Sequence, residues 1–170
     1  MSILDHLNVR LAKPEDASMI VSFSAAMALE TENRRLDLDR LYEGTMALLE
    51  SPDRGSFMVA ELEQPNKCQL LGQLMITYEW SDWRNAVFWW VQSVYVTPPW
   101  RRRGVYRFMH NQIVAQARAN ANVCGIRLYV EQDNHTAQTV YKQVGLVRSV
   151  YQVYEQDFVL ARHDVPQNKS

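Results

Sequence analysis

One stretch near the middle of the chain decides the fold, and residues 93–106 read SVYVTPPWRRRGVY. The first four residues suit a strand, and the two prolines must end it because proline cannot donate to a sheet ladder. Three arginines and a glycine follow, and a helix is predicted from about Gly104 to Asn120. A helix N-terminus offers unpaired amides and partial positive charge, so the stretch predicts an anion-binding turn.

The glycine-rich phosphate loops of other protein classes do not occur in this sequence, since both GxxxxGK[ST] and GxGxxG are missing. Gly104 would let the backbone approach a phosphate, and residues 101–103 would add positive charge. Taken alone, however, the turn is at least as well explained as a solvated basic loop in which the glycine only starts a helix. A second, independent pattern has to decide between these readings.

Hydrophobic periodicity predicts the elements on both sides of this turn. In chain order we expect a strand at Asn8–Ala12, helices at 14–30 and 38–49, strands at Ser56–Leu62, Gln69–Glu79 and Ala86–Val96, the helix at 104–120, a strand at Ile126–Glu131, a helix at Thr136–Val144 and a strand-rich segment at Leu146–Leu160, with a turn at Pro65–Asn66. Three consecutive strands suggest an antiparallel meander, and the strand–helix–strand crossover suggests a parallel step. The predicted fold class is α/β, a mixed, mostly antiparallel central sheet flanked by helices, in a single domain over residues 1–170.

The second pattern lies in residues 134–145, after the last predicted crossover. Asn134 starts a helix and Tyr141 follows seven residues later, about two turns on, so both project from the same side. Asn134 could be only a helix cap, and Tyr141 could be only a core aromatic with a satisfied hydroxyl. A phenol has a reference pKa of roughly 10, so Tyr141 could also donate a proton at neutral pH.

Together the two patterns resemble the GNAT superfamily of acetyl-CoA-dependent N-acetyltransferases. Residues 101–106 are similar to its pyrophosphate loop, [Q/R]-x-x-G-x-[G/A], except that Tyr106 stands where glycine or alanine is usual. Residues 134–145 are similar to its later motif, N-x-x-A-x-x-x-Y-x-x-x-G. The resemblance implies the GNAT fold and acetyl-CoA as co-substrate.

The resemblance further implies direct transfer of an acetyl group from acetyl-CoA to a primary amine, with Tyr141 as the acid for the departing thiolate. Backbone groups near Val94 would meet the pantetheine arm and stabilise the oxyanion. The cofactor-binding residues expected on this basis are Val94, Val96, Arg101, Arg102, Arg103, Gly104, Val105, Tyr106, Asn134 and Tyr141.

An alkylamine has a pKa near 10.4, so some group must take its proton. The glutamate that many family members carry on the fourth strand falls at Trp90 here. Glu79 is the expected base, because it ends the strand that should lie beside 86–96, and Glu30, Glu32 and Asp82 are the alternatives. Glu79 could equally be a surface carboxylate near a turn.

Four of the five tryptophans lie in residues 80–90, close to carboxylates. Aromatic faces and negative charge suit a cation, which favours a small-molecule amine as acceptor, although simple sheet packing explains any one tryptophan as well. A protein or peptide amine acceptor, and an acyl-CoA-binding module with little or no transferase activity, are the alternatives. The apolar strands and tryptophans would allow a homodimer.

The composition excludes several other classes. Lys and Arg total 18 and Asp and Glu total 19, and a net charge of -1 argues against a nucleic-acid partner. Cys68 and Cys124 are isolated, so no metal site is expected, and they suit reduced thiols of a cytoplasmic protein. No apolar run of about 18 residues predicts a membrane span, and Met1–His6 does not resemble a secretion signal.

Overall fold

The computed structural model describes residues 6–64 and 67–159. Its strands are β1 (Leu7–Leu11), β2 (Gly55–Gln64), β3 (Lys67–Ser81), β4 (Ala86–Val96) and β5 (Val123–Arg127). Its α-helices are α1 (Ala17–Glu32), α2 (Leu38–Leu49), α3 (Val105–Ala119) and α4 (His135–Gln143). The turn predicted at Pro65–Asn66 lies outside the described residues.

The five strands form one sheet in the order β1-β2-β3-β4-β5. The pairs from β1 to β4 are antiparallel, whereas β4 and β5 pair in parallel. Short connections join β2 to β3 and β3 to β4, and helices α1 and α2 lie between β1 and β2. Helix α3 makes the crossover that a parallel pair requires. The predicted α/β class and its mixed, mostly antiparallel sheet are therefore confirmed.

Helices cover both faces of the sheet. On one face, Leu74 and Val91 are buried with Met109 and Ile113 of α3. On the other face, the strands are covered by α1 and α2, and Ile20, Leu48, Phe57 and Val59 form a second buried cluster. Alternate strand residues point to opposite faces, so each strand contributes to both layers. This division leaves the carboxyl end of β4 between α3 and the end of α1.

Two predicted elements differ from the structure. The last strand runs over Val123–Arg127 rather than Ile126–Glu131. Residues 146–159 contain no strand, so the predicted strand-rich segment is wrong over its described part, while Leu160 lies outside it. Valine and tyrosine favour strands, but propensity alone supplies no ladder partner, and Val150 and Tyr154 are 92% and 89% exposed.

Candidate active site

Strand β4 is irregular where it approaches the basic turn. Ser93 has a φ of 50°, and the register with β3 shifts there. On the opposite side the ladder with β5 ends at Trp90, which pairs with Arg127. Residues 91–96 lie beyond that ladder, so the outer backbone groups of this part of β4 are open to an extended ligand.

Val94 and Val96 lie within this open part of β4. Their side chains pack against the core beneath α3. In the described chain neither ladder gives Val94 a residue opposite it. Val96 lies opposite Gly72 of β3, and its carbonyl accepts a hydrogen bond from Arg101 at 2.7 Å. The roles of Val94 and Val96 toward a cofactor stay predictions.

The turn before α3 is built from left-handed backbone. Arg102 has a φ of 59° and Gly104 a φ of 86°, and Gly104 is the N-cap of the helix. The first intrahelical bond runs from the Phe108 amide to the Gly104 carbonyl at 2.9 Å. The amides of 105–107 precede that bond, so they have no partner within the helix and lie at the positive end of the helix dipole.

The three arginines of this turn have different surroundings. Arg101 binds a Glu30 carboxylate oxygen at 2.6 Å and the Val96 carbonyl at 2.7 Å, so it fastens the turn to the end of α1. Arg103 lies over the Trp100 ring, 5.1 Å from its centroid. Arg102 is exposed. Glu30 neutralises Arg101, so the net positive charge of the turn comes from Arg102 and Arg103.

Glu30 was an alternative base in the sequence, and the structure gives it two partners. Besides Arg101, it accepts a hydrogen bond from the Tyr95 hydroxyl at 3.0 Å. The Arg101 guanidinium also lies 5.2 Å from the centroid of the Tyr95 ring. This arrangement is a link between α1, β4 and the turn, which no local sequence pattern could have indicated.

Helix α4 brings Tyr141 to the first turn of α3. The rings of Tyr141 and Tyr106 meet edge to face, with centroids 5.6 Å apart and planes at 65°. Burial raises the pKa of Tyr141, and burial together with the neighbouring Tyr141 raises the pKa of Tyr106. Tyr141 is therefore a protonated phenol at neutral pH, beside the N-terminal end of α3.

Asn134 begins α4 as its N-cap. Its Oδ1 accepts a hydrogen bond from the Ala137 amide at 3.0 Å. The capping role that the sequence left open is thus present, and it uses the carbonyl oxygen of the side chain. Any contact from Asn134 to a ligand would fall to its Nδ2 group.

A polar strip lies on the sheet face that also packs against α1 and α2. The Glu79 carboxylate accepts hydrogen bonds from the Trp90 indole and from Arg127, the latter at 2.5 Å. The ring centroids of Trp90 and Tyr129 are 5.9 Å apart. The Tyr129 hydroxyl donates to Gln92 at 3.3 Å, which continues the strip along β4. We call this set the acceptor strip.

The acceptor strip places Glu79 beside Trp90. The carboxylate therefore reaches, from β3, the position on β4 where the resembling family usually carries its glutamate. It is 41% exposed, so solvent has access to it. Sequence reasoning missed its partner Arg127, because that contact depends on the register between β4 and β5.

The two adjacent tryptophans of β4 point to opposite faces of the sheet. Trp89 packs on the core beneath α3, and Trp90 faces the acceptor strip. Trp80, near the end of β3, and Trp83, in the turn between β3 and β4, are largely exposed.

His110 is the buried titratable residue next to Tyr106. It is 2% exposed, and its Nδ1 lies 3.5 Å from the Tyr106 hydroxyl. Burial lowers the pKa of His110, and a hydrogen bond with the backbone of Val144 opposes that shift only in part. The imidazole is therefore neutral in the folded protein at neutral pH.

We expect this neutral imidazole to make stability depend on pH. Below about pH 6.5 an unfolded histidine takes up a proton that folded His110 does not, so the free energy of unfolding falls as the pH falls. The loss is at most about 1.4 kcal/mol per pH unit for one proton. Urea titrations of the wild type and His110→Gln at pH 7.5, 6.5 and 5.5 give the free energy of unfolding at each pH. This free energy should fall less steeply with falling pH in the variant. An equal pH dependence in both proteins would contradict a neutral, buried His110.

Within residues 6–64 and 67–159, no three side chains of His, Cys, Asp or Glu are arranged to hold a metal ion. The described helices include none that is long and apolar enough to cross a membrane. Cys68 and Cys124 are free thiols. His135, which the sequence left without a role, begins α4 at an exposed position.

Comparison with known proteins identifies the family. The model of a family described as acetyltransferase (GNAT) matches residues 22–146. A possible acetyltransferase from Clostridium difficile 630 is 36% identical, with a TM-score of 0.82 over 91% of this chain and 99% of that one. A predicted acetyltransferase from Clostridium acetobutylicum, solved with acetyl-CoA, is 18% identical, with a TM-score of 0.68 over 88% and 96% of the two chains, and shares the fold. No curated protein matches the sequence. The matched family model spans both motifs and the elements that carry them, so the chain belongs to the GNAT family of acetyltransferases.

Proposed function

We propose that this protein transfers the acetyl group of acetyl-CoA to a primary amine of a small molecule, by direct attack in a ternary complex. The observation that carries the proposal is the position of Tyr141. Its protonated phenol lies against the first turn of α3, at the end where the amides and the left-handed Gly104 form an anion-binding turn. An acid and a phosphate-binding turn at one place suit the release of a thiolate from a coenzyme A ester.

The residues of the turn and of β4 fit the shape of acetyl-CoA. The pyrophosphate would sit at the amides of 105–107, with Arg102 and Arg103 adding positive charge and Gly104 allowing close approach. The pantetheine arm would lie along 91–96, where β4 has left the β5 ladder and can pair with an extended chain. The Asn134 amide would add a contact from the start of α4.

The chemistry divides between two faces of the site. The neutral amine attacks the thioester carbonyl, so a C–N bond forms and the C–S bond breaks. A backbone amide near Val94 stabilises the oxyanion, and Tyr141 gives its proton to the departing thiolate. Before the attack, the ammonium group of the substrate gives one proton to Glu79 through water. After the attack, the nitrogen of the new amide releases a second proton, which returns to Tyr141 through solvent.

The acceptor strip supports an amine as the second substrate. Trp90 and Tyr129 offer aromatic faces and Glu79 offers a carboxylate, which together suit an ammonium group. Arg127 Nη1 lies 2.5 Å from a Glu79 carboxylate oxygen, so this ion pair holds the carboxylate in place beside the two rings.

Glu79→Gln tests the role of the base. A carboxamide keeps the size and the acceptor oxygen for Trp90 but cannot take a proton, so we expect kcat/KM for the amine to fall about 10²-fold or more. The affinity for acetyl-CoA should not change, because Glu79 belongs to the acceptor strip and not to the turn before α3. Steady-state thiol release, with mass-spectrometric detection of the acetylated amine, measures both.

The matched control for this variant is Asp53→Asn, which removes an exposed carboxylate from the turn before β2. It should leave kcat/KM within about twofold of the wild type. A Glu79→Gln enzyme as active as the control would remove Glu79 from the mechanism.

A second candidate function is an acyl-CoA-binding module without efficient transfer. Trp90 at the usual glutamate position and the pairing of Glu79 with Arg127 favour it. Saturable acetyl-CoA binding without thiol release across a broad panel of primary amines would support this candidate. Thiol release with any of them supports the transferase.

A further inference from the structure

Two residues on α3 contact α4 at two points. Tyr106 meets the Tyr141 ring edge to face. His110, one turn further along α3, hydrogen-bonds the backbone of Val144 at the end of α4. The two residues also contact each other, with ring centroids 5.8 Å apart and the Tyr106 hydroxyl 3.5 Å from His110 Nδ1.

The His110 ring is buried between two neighbours. Its Nδ1 lies 3.5 Å from the Tyr106 hydroxyl, and the ring hydrogen-bonds with the backbone of Val144. One buried ring thus joins the Tyr106 hydroxyl to the last turn of α4.

Helix α4 depends on such contacts, because its own packing is thin. Each of its nine residues, all of them described, keeps some exposure to solvent. Asn134 satisfies its first turn from within the same segment. A helix of this length is not stable by itself in water, so its position must come from tertiary contacts.

The identity of residue 106 fits this requirement. The family's motif carries glycine or alanine at this position, and neither could touch Tyr141. Tyr106 is half-buried, and its ring fills the space between Tyr141 and His110. Edge-to-face aromatic contacts stabilise beyond the area they bury, so this contact biases the position of a short helix.

We propose that Tyr106 and His110 act as a positioning pair, which docks α4 on α3 and holds the Tyr141 phenol at the first turn of α3. Its effect on turnover rests on the proposed function, whereas its effect on the docking of α4 does not. In this role neither residue has to contact the reacting atoms or the amine. Its influence on the reaction passes through Tyr141.

Amide hydrogen exchange followed by mass spectrometry tests the docking directly. In Tyr106→Ala, which restores a residue typical of the family, we expect peptides covering 137–143 to exchange at least tenfold faster, with β2 and β3 unchanged. His110→Gln should have a smaller effect in the same direction. Tyr106→Phe keeps the ring edge and should stay within about threefold of the wild type. Gln112→Ala, at an exposed position of α3, is the control and should leave exchange unchanged.

Kinetics of the same variants test the consequence for Tyr141. In Tyr106→Ala we expect kcat to fall at least tenfold while Kd for acetyl-CoA stays the same or decreases, since the smaller residue exposes the helix amides. A variant damaged only in its general structure would lose affinity as well. Unchanged exchange in 137–143, or faster exchange with unchanged kcat, would overturn the proposal. If the wild type transfers no acetyl group, the proposed function fails separately, and the exchange rates still decide whether the pair docks α4.

Discussion

Tyr141→Phe is expected to lower kcat by about 10² to 10⁴-fold, with KM for acetyl-CoA changed by less than about threefold. The ring and its edge contact with Tyr106 remain in the variant, so the site keeps its shape. Only the proton that neutralises the departing thiolate is lost, and general acid catalysis contributes factors of this size. A loss in kcat without a loss in binding is the mark of an interaction made in the transition state.

The measurement is initial-rate thiol release at saturating amine, over a range of acetyl-CoA concentrations. Because burial raises the pKa of Tyr141, the wild type should keep its acid protonated through mildly alkaline pH, with no fall in kcat from this group below about pH 10. Tyr154→Phe is the matched control, since it removes the hydroxyl of an exposed tyrosine. A Tyr141→Phe enzyme with wild-type turnover would show that another group protonates the thiolate.

Gly104→Glu is expected to weaken acetyl-CoA binding by more than 100-fold. The φ of 86° at this residue is unfavourable for any residue with a Cβ, by about 1–2 kcal/mol. The added carboxylate would also lie at the helix end where the pyrophosphate binds, and like charges repel there. Calorimetric titration measures the change in Kd.

Gly104→Ala separates the two causes. It carries the same backbone strain without the charge, so its melting temperature should fall about as far as that of Gly104→Glu, while its Kd should rise far less. A Gly104→Glu protein that binds acetyl-CoA as tightly as Gly104→Ala would show that the phosphates lie elsewhere.

Local patterns were sufficient to predict the parts of the site that are local in sequence. The two prolines end β4, helix α3 begins after Gly104, and Asn134 caps α4. Each of these depends on the dihedral preferences or hydrogen bonds of a few adjacent residues. The fold class could also be predicted, because the order of strands and helices along the chain is compatible with few topologies.

The contacts that were missed join residues far apart in the chain. The Arg101–Glu30 and Arg127–Glu79 ion pairs depend on how α1 and β5 lie against β4, and no spacing along the sequence encodes that. Tyr106 was noticed only as a departure from a motif, and its contact with Tyr141 depends on the placement of α4. The strand expected after residue 146 failed because a strand needs a neighbouring edge as well as suitable residues.

The most direct test of the central claim is a calorimetric titration of the protein with acetyl-CoA. We expect saturable binding of one molecule per chain with a micromolar Kd, since the open end of β4 and the turn before α3 are already formed. Absence of saturable binding would contradict the assignment of this turn as a coenzyme A site and, with it, the proposed acetyl transfer.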